Sequence, residues 1–158
     1  MSGAVGHRIA SMMSKTWDQG PASINTDEIF AGKTVVMFGL PGAFTPTCST
    51  KHLPGFIEHA EALKKAGVDL IVCHSVNDPW VLNAWSKEMG AREHIFMLAD
   101  WNAELAKALD VDVDMSASGL GTRAGRYALI AEDKQITYFE AGEGDISSAK
   151  AVLAALSG

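Results

Sequence analysis

Lys33-Thr34-Val35-Val36-Met37-Phe38-Gly39-Leu40 (KTVVMFGL, residues 33–40) decides the reading of this chain. An unbroken apolar run of this length, rich in β-branched residues, predicts a strand covered on both faces, as in a parallel sheet flanked by helices. The run ends in a loop, Pro41-Gly42-Ala43-Phe44, and a helical pattern follows. Leu53, Phe56, Ile57, Ala60 and Leu63 recur at helical spacing and Gly67 stops them. Pro54 falls inside that pattern and predicts a kink.

Downstream the alternation repeats. Residues 68–75 (VDLIVCHS) form a second buried run, and Asn77-Asp78-Pro79 is a capped, proline-started helix opening. Leu82, Trp85 and Met89 then share one face of that helix. A third short strand is expected over residues 95–98 and a helix over 103–109. Two more strands, about 126–131 and 135–139, flank the polar turn Glu132-Asp133-Lys134. A last amphipathic helix over 145–156 turns Ile146, Ala149, Val152, Leu153 and Leu156 inward. Upstream, Thr26-Asp27-Glu28 opens a short helical turn, and the alternation before Trp17 suits a first strand or hairpin. This order predicts an α/β, thioredoxin-like fold: a parallel core with an antiparallel edge, a central mixed sheet flanked by helices. No repeat or linker interrupts it, so residues 1–158 are read as a single domain.

Composition narrows the function classes. With 158 residues, 47% hydrophobic and 20% charged, the chain suits a soluble globular protein. Thirteen basic against nineteen acidic residues give −6 formally, which argues against nucleic acid or an anionic membrane as partner. No apolar stretch approaches the ~18 residues of a spanning helix, and the first twenty residues lack a signal-peptide core. Two cysteines, Cys48 and Cys73, read as reduced thiols in a cytoplasmic compartment rather than as a structural bridge.

Pro41-Gly42-Ala43-Phe44-Thr45-Pro46-Thr47-Cys48 carries the chemistry. With Pro46 at the first helical position, Thr45 is the N-cap and Cys48 the third helical residue. Cys48 then lies among unpartnered backbone amides at the positive end of the helix, which favours thiolate, the nucleophilic form. A free cysteine is also often a small buried hydrophobe; the capped, proline-started turn tips the balance to the reactive reading. Thr45 stands where a CxxC motif would need its first cysteine, so a dithiol oxidoreductase is disfavoured.

Residues 41–56, PGAFTPTCSTKHLPGF, resemble the active-site signature of peroxiredoxins, most closely the type II, peroxiredoxin-five-like thiol peroxidases. Pro41, Thr45 and Cys48 match P-x-x-x-T-x-x-C, and His52 to Phe56 match the downstream H-L-P-G-F. Further matches are Gly32-Lys33, residues 75–78, residues 98–100 and residues 121–127. The resemblance implies a cofactor-free and metal-free thioredoxin-like enzyme in which Cys48 attacks hydrogen peroxide or a small alkyl hydroperoxide and becomes a sulfenic acid. It implies that Thr45 hydrogen-bonds thiolate and peroxide, that Pro41 shields the cysteine, and that Arg126, before Tyr127, stabilises charge in the transition state. Together Thr45, Cys48 and Arg126 form the expected substrate site. The expected reductant is an external thiol, glutathione with glutaredoxin or else thioredoxin, and the expected assembly is a homodimer. The runner-up among enzymes is a related thiol-disulfide reductase, and the alternative from another class is a redox sensor or holdase signalling through oxidised Cys48.

The chain departs from the family at Val5-Gly6-His7-Arg8-Ile9-Ala10, where a proline is usual, and it has no C-terminal resolving cysteine. Cys73, inside LIVC, reads as core, while some relatives keep it as a possible secondary thiol. His52 reads as structural or interfacial, and Arg123 as either a brace for Arg126 or solvated. Met12, Met13, Met37, Met89, Met97 and Met115 read as core filling. Phe44, Trp80 and Trp101 are candidate dimer contacts or local packing.

Overall fold

In a computed structural model the decisive run forms strand β3, Thr34–Leu40. The structure describes residues 5–9, 11–17, 19–46 and 48–157, with Cys48 and Thr50 described by backbone alone. Before β3 lie β1 (Met13–Trp17), β2 (Pro21–Asn25) and α1 (Thr26–Phe30). After it come a π-helical turn (Cys48–His52), α2 (Leu53–Glu58), α3 (Ala60–Lys65), β4 (Leu70–Ser75), α4 (Pro79–Met89), β5 (Phe96–Ala99) and α5 (Glu104–Ala108). The chain then forms β6 (Asp112–Asp114), β7 (Thr122–Ala124), β8 (Tyr127–Glu132), β9 (Gln135–Ala141), a 3-10 turn (Gly144–Ser147) and α6 (Ala149–Ser157).

The main sheet runs β2-β1-β5-β4-β3-β8-β9. Among the described residues β3, β4 and β5 are the parallel neighbours; β1 joins β5, and β8 joins β3, antiparallel. The parallel core therefore has an antiparallel margin on each side. Asp133 and Lys134 turn the β8–β9 hairpin with φ of 48° and 72°, the left-handed pair that matches strand twist.

Alternation along the strands divides the core. Val36, Phe38, Leu40, Ile71 and Cys73 face α2, α3, α4 and α6, meeting Leu53, Phe56, Leu63 and Trp85. Val35, Met37, Val72 and Leu129 face Ile29, Phe30, Leu105 and Phe139. Phe38 stacks on Phe56 with centroids 4.0 Å apart, which brings the helix after Cys48 directly onto β3. Burying one such ring contributes about 1.5–3 kcal/mol.

Several expectations need correction. Pro54 stands in the first turn of α2, directly after the π-helical turn, so the helical pattern read as one helix is irregular just before the proline. A second break falls at His59, whose ring Nδ1 bonds the Gly55 carbonyl at 2.9 Å. The last helix starts at Ala149 rather than 145, so Ile146 lies in the 3-10 turn and is 45% exposed. Met13 is 57% exposed on β1 rather than core. The β6–β7 ribbon was not anticipated, because its three-residue strands are largely exposed and carry no apolar period.

Candidate active site

The loop after β3 is held from two directions. Ala43 N donates to Asn77 Oδ1 at 3.0 Å, and that oxygen also accepts from Ser75 Oγ at 2.6 Å, tying the loop to the end of β4. From β7, Arg123 Nη1 donates to the Pro41 carbonyl at 3.2 Å while its Nε donates to Leu120 O at 2.9 Å. A Cβ on Gly42 would lie 2.8 Å from Arg123 Nη1, so glycine is needed for that approach. Arg123 thus braces Pro41, not Arg126. Phe44 completes the loop with φ of 64°, an uncommon conformation for an aromatic residue, and is 55% exposed.

Thr45 closes the loop and opens the helix. Its carbonyl accepts from Ser49 N at 3.0 Å, as an N-cap carbonyl does. Its hydroxyl donates backward to Gly42 O at 2.7 Å. Cys48 follows as the first residue of the π-helical turn; its side chain lies outside the described residues. That turn is anchored by its neighbours. Ser49 Oγ accepts from Trp85 Nε1 at 3.0 Å, and His52 is buried against the stacked Phe38–Phe56 pair.

His52 links the turn to Arg126. The Ser147 carbonyl can only accept, so His52 Nε2 carries the proton and donates to it at 2.9 Å. Nδ1 is then the acceptor for Arg126 Nη1 at 3.2 Å. Burial first, and the Arg126 charge in addition, push the His52 pKa down to about 4 against the opposing pull of the Ser147 carbonyl. The imidazole is neutral at physiological pH. Arg126 lies one residue before β8, and its Nε forms an ion pair with Glu143 Oε2 at 2.5 Å. Guanidinium and imidazole therefore meet at the turn that Cys48 begins, through a bond between residues 74 apart in sequence.

Beneath this end runs a second polar chain. Tyr127 OH meets His74 Nδ1 at 2.7 Å, and His74 Nε2 meets Asp100 Oδ2 at 2.8 Å. Asp100 also accepts from the amides of Leu105 and Ala106, fixing α5. Burial opposes its charge, but these donors outweigh burial and hold its carboxyl below the usual range. Burial first, and then the Asp100 charge, push the Tyr127 hydroxyl well above its ordinary pKa. Cys73, next to His74 on β4 and facing the other side of the sheet, is buried.

Sequence reasoning placed Pro41, Thr45, Cys48 and Arg126 near the site. Asn77 reads there as part of a helix start and of the family match over residues 75–78, without its bond to the loop; Asp78 is the side chain that caps, accepting from Val81 N at 2.9 Å. His52 is legible as the start of H-L-P-G-F, but its bond to Arg126 is not. Glu143 and Ser147 carried no local signal. Among the described residues no group of three or more His, Cys, Asp or Glu side chains could hold a metal ion.

Residues 4–153 match the family described as Redoxin. The chain belongs to the Redoxin family. It is 49% identical to "Peroxiredoxin-2B" of Arabidopsis thaliana over 129 residues, 80% of each chain. It is also 47% identical to "Peroxiredoxin-2C" of Oryza sativa subsp. japonica, over 84% of each. Among solved structures it superposes with TM-score 0.92 on reduced Prx3 from Vibrio vulnificus in complex with H2O2, at 41% identity, covering 97% of this chain and 98% of that one. These matches make this redoxin a type II peroxiredoxin with the thioredoxin-like fold, and its activity that of a thiol peroxidase. Among the described residues no helix is long and apolar enough to cross a membrane.

Proposed function

We propose that Cys48 is the peroxidatic residue and that Thr45, Arg126 and Pro41 complete the site. The supporting observation is the Arg126–His52 hydrogen bond, which ties a permanently charged guanidinium to the turn that Cys48 begins. The Cys48 thiolate attacks the terminal oxygen of hydrogen peroxide or a small alkyl hydroperoxide. An S–O bond forms as the O–O bond breaks, and the leaving hydroxide or alkoxide takes up a proton. Arg126 stabilises the negative charge growing on that oxygen, and the Thr45 hydroxyl, turning from the Gly42 carbonyl, becomes the second donor. Pro41, whose carbonyl is fixed by Arg123, covers the cysteine from solvent.

An external thiol returns Cys48 to the thiolate: glutathione with glutaredoxin, with thioredoxin as the alternative donor. The protein works as one domain and as a cytoplasmic homodimer, with Phe44, Trp80 and Trp101, at 55%, 62% and 58% exposure, among its contacts. Light scattering across micromolar concentrations should give twice the chain mass.

A coupled peroxide-consumption assay of wild type and Cys48→Ser, with glutathione plus glutaredoxin compared with thioredoxin plus its reductase, tests the reading. Steady turnover abolished in Cys48→Ser supports it. Stoichiometric oxidation of Cys48 without turnover would favour a redox sensor or holdase instead.

A further inference from the structure

A cleft of about 250 Å³ opens between α2 and α6, with Arg126 and His52 among its lining residues. Lys51, in the turn that Cys48 opens, and Lys150, in the first turn of α6, also line it. Both lysines are exposed, and neither has a carboxylate partner among the described residues. Glu58 and Asp145 line the cleft as well, and they too are exposed and form no ion pair among the described residues. The cleft therefore offers two unpaired cations and two unpaired anions around a groove that reaches the guanidinium proposed to act at Cys48. Hydrogen peroxide, small and neutral, has no use for these charges.

We propose that this cleft binds the reductant, a small zwitterionic thiol of the glutathione class, and presents its sulfur to oxidised Cys48. The inference rests on the reading of Cys48 as the oxidised residue and of an external thiol as its reductant. Glutathione carries two carboxylates and one ammonium group along a short peptide. Lys51 and Lys150 pair with its carboxylates, and Glu58 or Asp145 with its ammonium. In the first step the glutathione sulfur forms an S–S bond to Cys48 while the Cys48 S–O bond breaks. The hydroxyl departs as water with the thiol proton. In the second step another glutathione thiolate attacks the glutathione sulfur of that mixed disulfide, releasing the Cys48 thiolate and glutathione disulfide.

The test uses the full chain, oxidised by one equivalent of hydrogen peroxide, in wild type and Lys51→Ala/Lys150→Ala forms. Reduction is followed in stopped flow with glutathione and, separately, with the uncharged dithiol dithiothreitol. The double variant should react with glutathione on the order of fivefold more slowly, the scale of two exposed ion pairs, and with dithiothreitol at the wild-type rate. Wild-type reduction by glutathione should also slow with added salt, and the variant's should not. Oxidation by hydrogen peroxide should be the same in both. Equal glutathione rates in the two proteins would overturn the cleft while leaving the external-thiol reading intact. Wild-type protein reduced by dithiothreitol but not by glutathione would overturn the cleft and the choice of glutathione, and would leave thioredoxin as the external thiol. Slower reaction of the variant with glutathione, dithiothreitol and peroxide alike would also overturn the cleft, by assigning the lysines to Cys48 itself.

Discussion

His52 Nδ1 accepts a hydrogen bond from Arg126 Nη1 at 3.2 Å, and the opposite ring nitrogen donates to the Ser147 carbonyl at 2.9 Å. One neutral imidazole thus connects three segments: the turn of Cys48, the start of β8 and the 3-10 turn before α6. A protonated ring would have no lone pair for Arg126 and would set two cations side by side. Burial and the guanidinium both keep it neutral.

That arrangement fixes a pH dependence of stability. The His52 pKa falls from 6.5 to about 4 on folding. Above pH 6.5 the ring is neutral in both states and the contribution is complete. As pH falls from 6.5 towards 4 the unfolded chain takes up a proton that the folded chain refuses, so stability drops. Below that window both states are protonated and the loss is complete, on the order of 3 kcal/mol. Urea unfolding of wild type and His52→Asn checks this: the difference between their unfolding free energies should shrink as pH falls through the window. A constant difference would contradict it.

Arg126→Met removes the charge and the fixed donors while keeping much of the side-chain length. Oxidation of Cys48 should slow by about 10²–10³-fold, the scale seen when one oxyanion donor is removed. The thiol pKa should rise, because a positive charge near the thiolate is gone. Stopped-flow oxidation and a pH titration of thiolate absorbance report the two effects. A wild-type rate would remove Arg126 from the mechanism.

Gly39→Ala should destabilise the fold severely. A Cβ there would lie 2.0 Å from Tyr127 Cε1, and the ring cannot retreat without leaving His74. Overpacking costs roughly 1–3 kcal/mol or more, and a buried imidazole nitrogen left without its partner adds a further ~1–3 kcal/mol. Thermal unfolding reads the change. Gly39→Ala with wild-type stability would contradict the close packing of β3 against Tyr127.

Much of the fold is legible because burial writes it locally. β3 and β4 are continuous apolar runs, and Asp78-Pro79 starts α4 as its side-chain cap predicts. What escapes local reading is set by the chain's return on itself. Nothing near His52 announces Arg126, and nothing near Arg123 announces the Pro41 carbonyl. Ile146 has a helical apolar spacing, yet the 3-10 turn that lets Ser147 reach His52 displaces it outward.

Cys73→Ser should leave most of the peroxidase activity. Its side chain is buried on β4 among Phe38, Leu53 and Phe56, away from solvent. The new hydroxyl costs about 1–3 kcal/mol of stability if it finds no partner in that apolar layer. Activity per folded molecule separates the two effects, and a folded but inactive variant would give Cys73 a chemical role.

The most direct measurement is peptide mapping by mass spectrometry after one equivalent of hydrogen peroxide, with a sulfenic-acid trap present and disulfides left intact. The expected result is a trapped sulfenic acid on the Cys48 peptide, with Cys73 unmodified and no Cys48–Cys73 linkage in the folded monomer. A trapped Cys73 beside intact Cys48, or a Cys48–Cys73 disulfide as the first product, would contradict the account.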